Sequence, residues 1–425
     1  MIPVSSSDFM SSVLSPLDWL IATQSRGVHP GLHRMECLLA ALGNPERKLR
    51  CLHVAGTNGK GSVCAVAESV LRSMGLRTGL YTSPHLVKFA ERIRINGENV
   101  GDDTIDAGIV RLREITEEWR EEDQPTFFEL VTALAFDLFD REGCEVVVLE
   151  TGLGGRLDAT NMAPKIACAI TPIALDHSEW LGETLTEIAR EKGGILRKGV
   201  PAVIAPQVEE AAAALSAVAE MVGAPCEWVE APLSPEIQLG LAGSYQRWNA
   251  AVALEMIRAA GFKPSPEALE AGLRAVCWPG RFQRSDFHGT ELVLDGAHNL
   301  HAARQLAITW REVYGERPCR LIFGALADKD PSAMLAVLMP LASEIFLVPV
   351  ASPRSLDPAK IALGEGLSGC SHPVPKLYGA LREAFEALRE HDSGSGAPFL
   401  LTGSLFLVGE ALSLLSGEAF LPRSQ

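Results

Sequence analysis

The sequence predicts an α/β protein with parallel sheets, on three observations. Short runs of aliphatic and β-branched residues, each ended by glycine or polar residues, alternate with longer helical patterns, as βαβ units require. One such run passes directly into a glycine-rich turn, GTNGKGS at residues 56–62, and then into a helix. The 425 residues exceed what one core of ordinary size fills, so two domains are expected.

Residues 51–55 (CLHVA) read as the strand that enters this turn, and residues 63–74, apolar at helical spacing, as the helix that Gly75 closes. Residues 145–149 (EVVVL) have the composition of a strand buried on both faces, and residues 165–171 read as another. The pattern pauses around residues 278–284 (WPGRFQR), and further strands are expected at 291–294, 321–323, 345–350 and 399–401. This reads as a second α/β domain, with a boundary near residue 287 that divides the chain into 1–287 and 288–425. Residues 351–358 and 393–398 (SGSGAP) have surface-loop composition, and no internal repeat is evident.

Composition narrows the function. Hydrophobic residues make up 47% of the chain and charged residues 21%, the profile of a folded globular protein. The 38 Lys and Arg against 53 Asp and Glu leave a net charge of −15, which argues against a nucleic-acid or anionic-membrane surface. Nine cysteines, at 37, 51, 64, 144, 168, 226, 277, 319 and 370, form no C-x-x-C pair and read as reduced thiols. With no basic segment ahead of an apolar stretch at the N-terminus, and no run of about 18 apolar residues, a cytoplasmic protein is expected.

The strongest single motif is the strand–GTNGKGS–helix unit. Gly56 and Gly59 let backbone amides converge on a phosphate, Lys60 supplies a cation, and the helix adds its positive N-terminus. The spacing is shorter than G-x-x-x-x-G-K-[ST], and Gly61 separates Lys60 from Ser62, so a plain glycine-rich turn is the competing reading. Residues 150–161 (ETGLGGRLDATN) begin where a buried strand ends, the usual ligand edge of an α/β sheet. There Glu150 suits a hard cation or a structural cap. Asp176-His177 follows the next strand; magnesium prefers oxygen, so a histidine ligand would be unusual. Lys192, in IAREKGGI (188–195), reads by composition as a surface charge. Arg281 suits a phosphate clamp or an interdomain salt bridge, and residues 292–299 (LVLDGAHN) are a strand running into an Asp-Gly turn.

Taken in order, GTNGKGS, TSPHL (82–86), ERI (91–93), GLGGRLDATN, DH followed by LG (176–182), IAREKGGI, PGR (279–281), DGAHN and LADKD (326–330) resemble folylpolyglutamate synthase and dihydrofolate synthase, members of the Mur ligase superfamily. The resemblance runs from residue 31 to residue 412, and Gly61 together with GLGGRLDATN points to the folate branch. It implies a P-loop ATPase domain like the central Mur ligase domain, a smaller C-terminal Rossmann-like domain, and ATP held between them. Gly56, Thr57, Asn58, Gly59, Lys60, Gly61 and Ser62 then match the phosphate loop, and Ser83, Glu150 and His177, with Ser62, match the magnesium ligands. Lys192 matches a lysine that is carbamylated in the family; Asn249, Arg281 and Asp295 match nucleotide contacts, and His298 shares the DGAHN motif. Lys60, Lys192 and His177 are the implied catalytic residues. Gly31, Leu32, Arg34 and Phe128 lie where the family binds pterin, and Arg156 and Asp158 are grouped with them as substrate residues.

The implied reaction is ATP- and Mg²⁺-dependent addition of L-glutamate to dihydropteroate and to reduced folates through an acyl phosphate, with domain closure excluding water. A monomer with small-molecule partners only is expected. The sequence departs from the family at Leu300, where Pro usually follows DGAHN, and at Gly193, where Ala is common. The alternatives are a folylpolyglutamate synthase alone, a Mur-type ligase acting on a cell-wall precursor, and a nucleotide-binding regulatory protein without ligation.

Overall fold

The computed structural model describes residues 14–364, 373–390 and 396–418; Cys370 and residues 393–395 of the expected SGSGAP loop lie outside them. The chain forms two compact units. The first takes the chain up to Pro84, Ala90–Leu233 and Asn249–Arg274, and the second takes His85–Phe89, Ser234–Trp248 and the chain from Ala275 onward.

The first unit is built on β1 (Cys51–Ala55), β2 (Thr78–Tyr81), β3 (Ile93–Ile95), β4 (Glu98–Asn99), β5 (Val146–Glu150), β6 (Lys165–Ile170), β7 (Ala202–Ile204) and β8 (Cys226–Trp228), in the order β4-β3-β2-β5-β1-β6-β7-β8. The strands from β2 to β8 in this order run parallel, and β3 and β4 fold back antiparallel at the edge. Asn96 and Gly97, at φ 51 and 80, make the two-residue turn between β3 and β4, which needs positive φ at both positions. Both β1 and β5 are buried along their whole length, which is why they read as apolar runs. The register pairs Val54 with Glu150, Ala55 with Ile170 and Tyr81 with Leu149, so the loops after β1, β2, β5 and β6 leave the sheet at one edge. From β1 the chain crosses to β2 on one side and later to β6 on the other. This is the switch point at which open α/β sheets bind ligands.

The second unit carries β9 (Gln283–Phe287), β10 (Thr290–Leu294), β11 (Cys319–Phe323), β12 (Ala342–Leu347), β13 (Lys376–Leu377) and β14 (Phe399–Thr402), in the order β13-β12-β11-β14-β10-β9 and parallel except for β9. Successive residues of a strand face opposite sides. Val293, Leu321 and Phe323 therefore join a core with Leu306, Trp310 and Leu335, while Leu292, Ile322 and Phe346 join another with Phe385, Leu388 and Leu407.

The boundary expected near 287 falls inside a hairpin. Gln283–Phe287 pairs antiparallel with Thr290–Leu294 across the turn His288-Gly289, at φ 50 and 84, so residues 283–287 belong to the second sheet. The pause at 278–284 runs into an edge strand at Gln283, whose sequence QRSDF looks loop-like because only part of it is covered. The expected strand at 345–350 begins earlier, at Ala342, and ends at Leu347, although the Val348 amide still donates to Phe323 O (3.0 Å). The eight described cysteines are all free. Among the described residues no helix is long and apolar enough to cross a membrane.

Candidate active site

β1 ends in a cradle that only glycine can form. At Gly56 (φ 141) a Cβ would lie 1.9 Å from Thr171 Oγ1, and at Gly59 (φ 93) it would lie 2.5 Å from Asn249 Oδ1. Thr57 and Asn58 donate their backbone amides to Pro172 O (3.1 and 3.3 Å), and the Thr57 hydroxyl donates to Ala174 O (3.1 Å). These two residues therefore brace the loop. The helix Lys60–Ser73 starts directly after it, presenting its first-turn amides and positive end where the loop opens. Ser62, 1% exposed, has a hydroxyl without a hydrogen-bond partner, and so does Thr171. Lys60 Nζ rests on Thr57 O at 3.1 Å.

Lys192 is buried, not the surface charge its composition suggests. It projects from the helix Leu185–Gly193, and its ammonium donates to Gly56 O at 2.9 Å. Burial and the nearby Lys60 charge push its pKa down to about 7, against the opposing pull of Asp176 and Asp158. A lysine in this state holds a substantial neutral fraction at physiological pH, which an ordinary surface lysine does not.

Glu150 ends β5, is buried, and accepts a hydrogen bond from the backbone N–H of Ser83 (3.2 Å), the second residue after β2. The structure thus brings two of the expected metal ligands together. His177 follows β6 at the same sheet edge, with φ 53, a half-exposed ring, and Nε2 4.0 Å from Asp176 Oδ1.

Asp158 holds its own loop together. Its Oδ2 accepts the amides of Gly152 and Leu153 (2.9 Å each), and its Oδ1 accepts the amide of Thr160 (3.0 Å) and the Thr160 hydroxyl. Burial raises its pKa while these donors lower it. Arg156 is half-exposed and tied to Glu191 by Nε (3.1 Å) and Nη2 (2.9 Å). Gly152 lies against Phe128, where a Cβ would come within 2.4 Å of the ring, and that ring sits 6.0 Å from Tyr81. Phe128 is in the first turn of the helix Phe127–Arg141, which Thr126 and Glu129 cap reciprocally. Glu129 also receives Arg34 through Nε (3.1 Å) and Nη2 (3.0 Å), so this arginine anchors the residue 27–34 segment to that helix. Leu32 stands at the start of the helix His33–Leu42 without a side-chain cap, and Gly31 just before it has φ 137.

In the second unit, Asp295 follows β10 and clamps two turns, its oxygens accepting the amides of Phe282 and Ala297 (2.9 Å each). Burial raises its pKa, and the Arg281 charge opposes the rise. Arg281 Nη1 packs so close to Gly296 that a Cβ there would lie 2.6 Å away. His298 Nδ1 contacts Gly296 O at 2.8 Å; a carbonyl can only accept, so Nδ1 carries the proton.

Residues 280–405 match the family described as Mur ligase, glutamate ligase domain. A Bacillus subtilis dihydrofolate synthase/folylpolyglutamate synthase is 34% identical over 421 residues, spanning 92% of this chain and 96% of that protein. The chain belongs to the dihydrofolate synthase/folylpolyglutamate synthase family. Solved members share its fold: the Mycobacterium tuberculosis folylpolyglutamate synthase complexed with ADP has a TM-score of 0.86 at 30% identity, covering 96% of this chain and 99% of that one. The Yersinia pestis bifunctional enzyme complexed with AMPPNP and Mn ion has a TM-score of 0.83 at 31% identity, covering 95% and 99%. The family consists of ATP-dependent ligases, and these two structures carry a nucleotide, the Yersinia pestis one together with Mn.

The residues present fit those groups. A glycine cradle at a helix N-terminus, with the unpartnered Ser62 hydroxyl beside it, has the chemistry a phosphate needs. Among the described residues no three His, Cys, Asp or Glu side chains converge on a metal position. One carboxylate, two hydroxyls and one imidazole would leave positions on a magnesium ion for phosphate oxygens and water, as magnesium sites commonly do. Sequence reasoning missed Thr171, Tyr81, His53 and Thr160. A His in an otherwise apolar strand, or a Thr in a turn, carries no spacing signal of a role.

Proposed function

We propose that this chain joins L-glutamate to dihydropteroate and to reduced folates, using ATP and Mg²⁺. The observation that carries the reading is the phosphate cradle of Gly56, Gly59, Lys60 and Ser62, with Glu150 and Ser83 paired at the neighbouring strand ends, in a member of this ligase family. The substrate carboxylate attacks the γ-phosphorus of ATP, releasing ADP and forming an acyl phosphate. The glutamate amine then attacks the carbonyl, loses a proton, and inorganic phosphate leaves. Lys60 and the helix N-terminus stabilise charge on the phosphoryl oxygens during the first step. Ser83, Glu150 and His177, with Ser62, would hold the divalent cation, which would supply further charge neutralisation. Gly152 and Phe128 wall the pteridine side, next to the segment that Arg34 anchors. The family resemblance assigns Arg281 and His298 to nucleotide binding, and Asp295 braces the turns that carry them.

Lys192 is the site of carbamylation. Its neutral amine adds to CO₂, the new N–C bond forming as one amine proton leaves, and the cation becomes an anion. The depressed pKa supports this, because only the unprotonated amine reacts. Labelling with ¹³CO₂ and carbon NMR tests it, and a spectrum without a carbamate line, or with one that persists in Lys192→Met, rules it out. The protein is expected to act as a cytoplasmic monomer of 45.6 kDa, which light scattering of the eluted peak checks.

The reaction is tested by ADP release with ATP, Mg²⁺ and L-glutamate, supplying dihydropteroate in one arm and tetrahydrofolate in another, with products weighed by mass spectrometry. Activity in both arms is expected, and Lys60→Ala should remove it. Activity with tetrahydrofolate alone reduces the enzyme to a folylpolyglutamate synthase. Silence in both arms, with turnover of a nucleotide-sugar peptide, overturns the folate assignment.

A further inference from the structure

His53 is the polar exception in the fully buried β1, three residues before Gly56, and is paired in register with Leu149 and Cys168. Its Nε2 lies 2.8 Å from Thr160 Oγ1, and both residues are fully buried. The proton positions follow from the neighbours. Thr160 has one hydroxyl proton, directed at Asp158 Oδ1. Burial raises the Asp158 pKa, but three backbone amides donate to its two oxygens, and donors to both oxygens favour the carboxylate over the acid. Thr160 Oγ1 is therefore left as an acceptor toward His53, and His53 must be the neutral tautomer with its proton on Nε2. Burial and the charges of Lys165 and Arg197 keep the ring unprotonated. Its Nδ1 is buried without a hydrogen-bond partner. An unpaired buried nitrogen is unfavourable, and a leucine would fill the space without one. The residue is thus best explained by what Nε2 does.

What Nε2 holds is the loop that follows β5. The chain of contacts runs from His53 through Thr160 to Asp158, and from Asp158 to the amides of Gly152 and Leu153, directly after Glu150. Resting on the function proposed above, we propose that His53 is a positioning residue for ligation: its Nε2–H locks the 150–161 loop onto the strand that carries the phosphate loop. It touches neither nucleotide nor substrate and acts only through Thr160 and Asp158.

Three variants separate this from simple packing. His53→Gln can set an amide donor where Nε2 stands, His53→Asn cannot reach that far, and Thr160→Val removes the acceptor at nearly constant volume. A loop misplaced by about 1 Å reduces turnover on the order of a hundredfold, so His53→Asn and Thr160→Val should lose about tenfold to a hundredfold in kcat/KM for the pteridine acid. ADP affinity measured without metal should stay within about threefold, His53→Gln should recover most of the loss, and the double variant of His53→Asn and Thr160→Val should be no worse than Thr160→Val alone, which also removes the hydroxyl bond to Asp158. Nitrogen NMR of ¹⁵N-histidine protein, with the His53 signals identified by their absence in His53→Gln, should show a neutral Nε2–H ring across pH 6–8. Wild-type kinetics in His53→Asn and Thr160→Val, or a loss that glutamine does not repair and that follows the melting temperature, overturns the proposal. Should the wild-type enzyme release no ADP with either acid, the functional reading fails, and the NMR spectrum alone decides on His53: Nε2–H supports the lock, whereas Nδ1–H or imidazolium overturns it.

Discussion

Replacing Gly56 with alanine tests the phosphate cradle most directly. The glycine sits at φ 141, and an added Cβ would lie 1.9 Å from Thr171 Oγ1 and 2.9 Å from the Thr171 amide nitrogen. Rotating the Thr171 side chain relieves the first contact but not the second, because the second is backbone. An ordinary contact is about 3.4 Å or more, so against the backbone the loop must give by roughly 0.5 Å. The unusual φ adds about 1–3 kcal/mol and the overlap another 1–3, enough to lower the melting temperature of a domain this size by several degrees without unfolding it. The same shift carries the Gly56 carbonyl away from Lys192 Nζ, now 2.9 Å distant. A displacement of this size, about half of the 1 Å that costs a hundredfold, is expected to lower kcat about tenfold and to weaken ADP binding by several-fold. The assay is ADP release paired with calorimetric titration of ADP. Thr171→Ala alone should be near neutral in stability, since its hydroxyl has no partner, and combined with Gly56→Ala it should restore part of the loss. If Gly56→Ala binds ADP within twofold of wild type and turns over within threefold, the loop does not cradle phosphate as described.

Two other perturbations follow from the site. Gly152→Ala drives a Cβ to 2.4 Å from the Phe128 ring, which can swing aside only by invading the pteridine wall, so the KM for dihydropteroate should rise about tenfold with the KM for ATP unchanged; an unaltered pteridine KM places that substrate elsewhere. Lys192 protonates near pH 7 in the folded chain and near 10.5 when unfolded, so between these values the unfolded chain holds more protons and stability rises with pH, by at most about 1.4 kcal/mol per unit. The destabilisation is complete below about pH 7 and relieved by about 10.5. Urea unfolding in carbonate-free buffer at pH 6.5 and 9 should show this rise in wild type and a smaller one in Lys192→Met, and equal slopes would show that Lys192 is not the buried amine that titrates.

Much of the first unit is legible in the chain because the constraints are local. The strand Cys51–Ala55 is an apolar run, Gly56 and Gly59 mark positive φ, and Gly75 (φ 85) stands where the helix ends. The strands β2, β7 and β8 escaped notice because each has only three or four residues, too few to establish a period. The strand β9 escaped because QRSDF at a partly exposed edge has the polarity of a loop.

The sequence by itself determined that a glycine-rich loop follows a buried strand and that the motif segments occur in the order of one ligase family. A glycine's φ and a strand's apolarity are properties of a few consecutive residues, and they survive in one dimension. Only the tertiary structure decided what each polar side chain in those segments does. It turned Asp158 and Asp295 inward to brace turns, set Ser83 beside Glu150, and buried Lys192 against Gly56. It also paired His53 with Thr160, 107 positions away. Which hydrogen bond a carboxylate or amine makes depends on the groups that packing brings within about 3 Å, and on the water that packing removes. Neither is written in the spacing of residues along the chain.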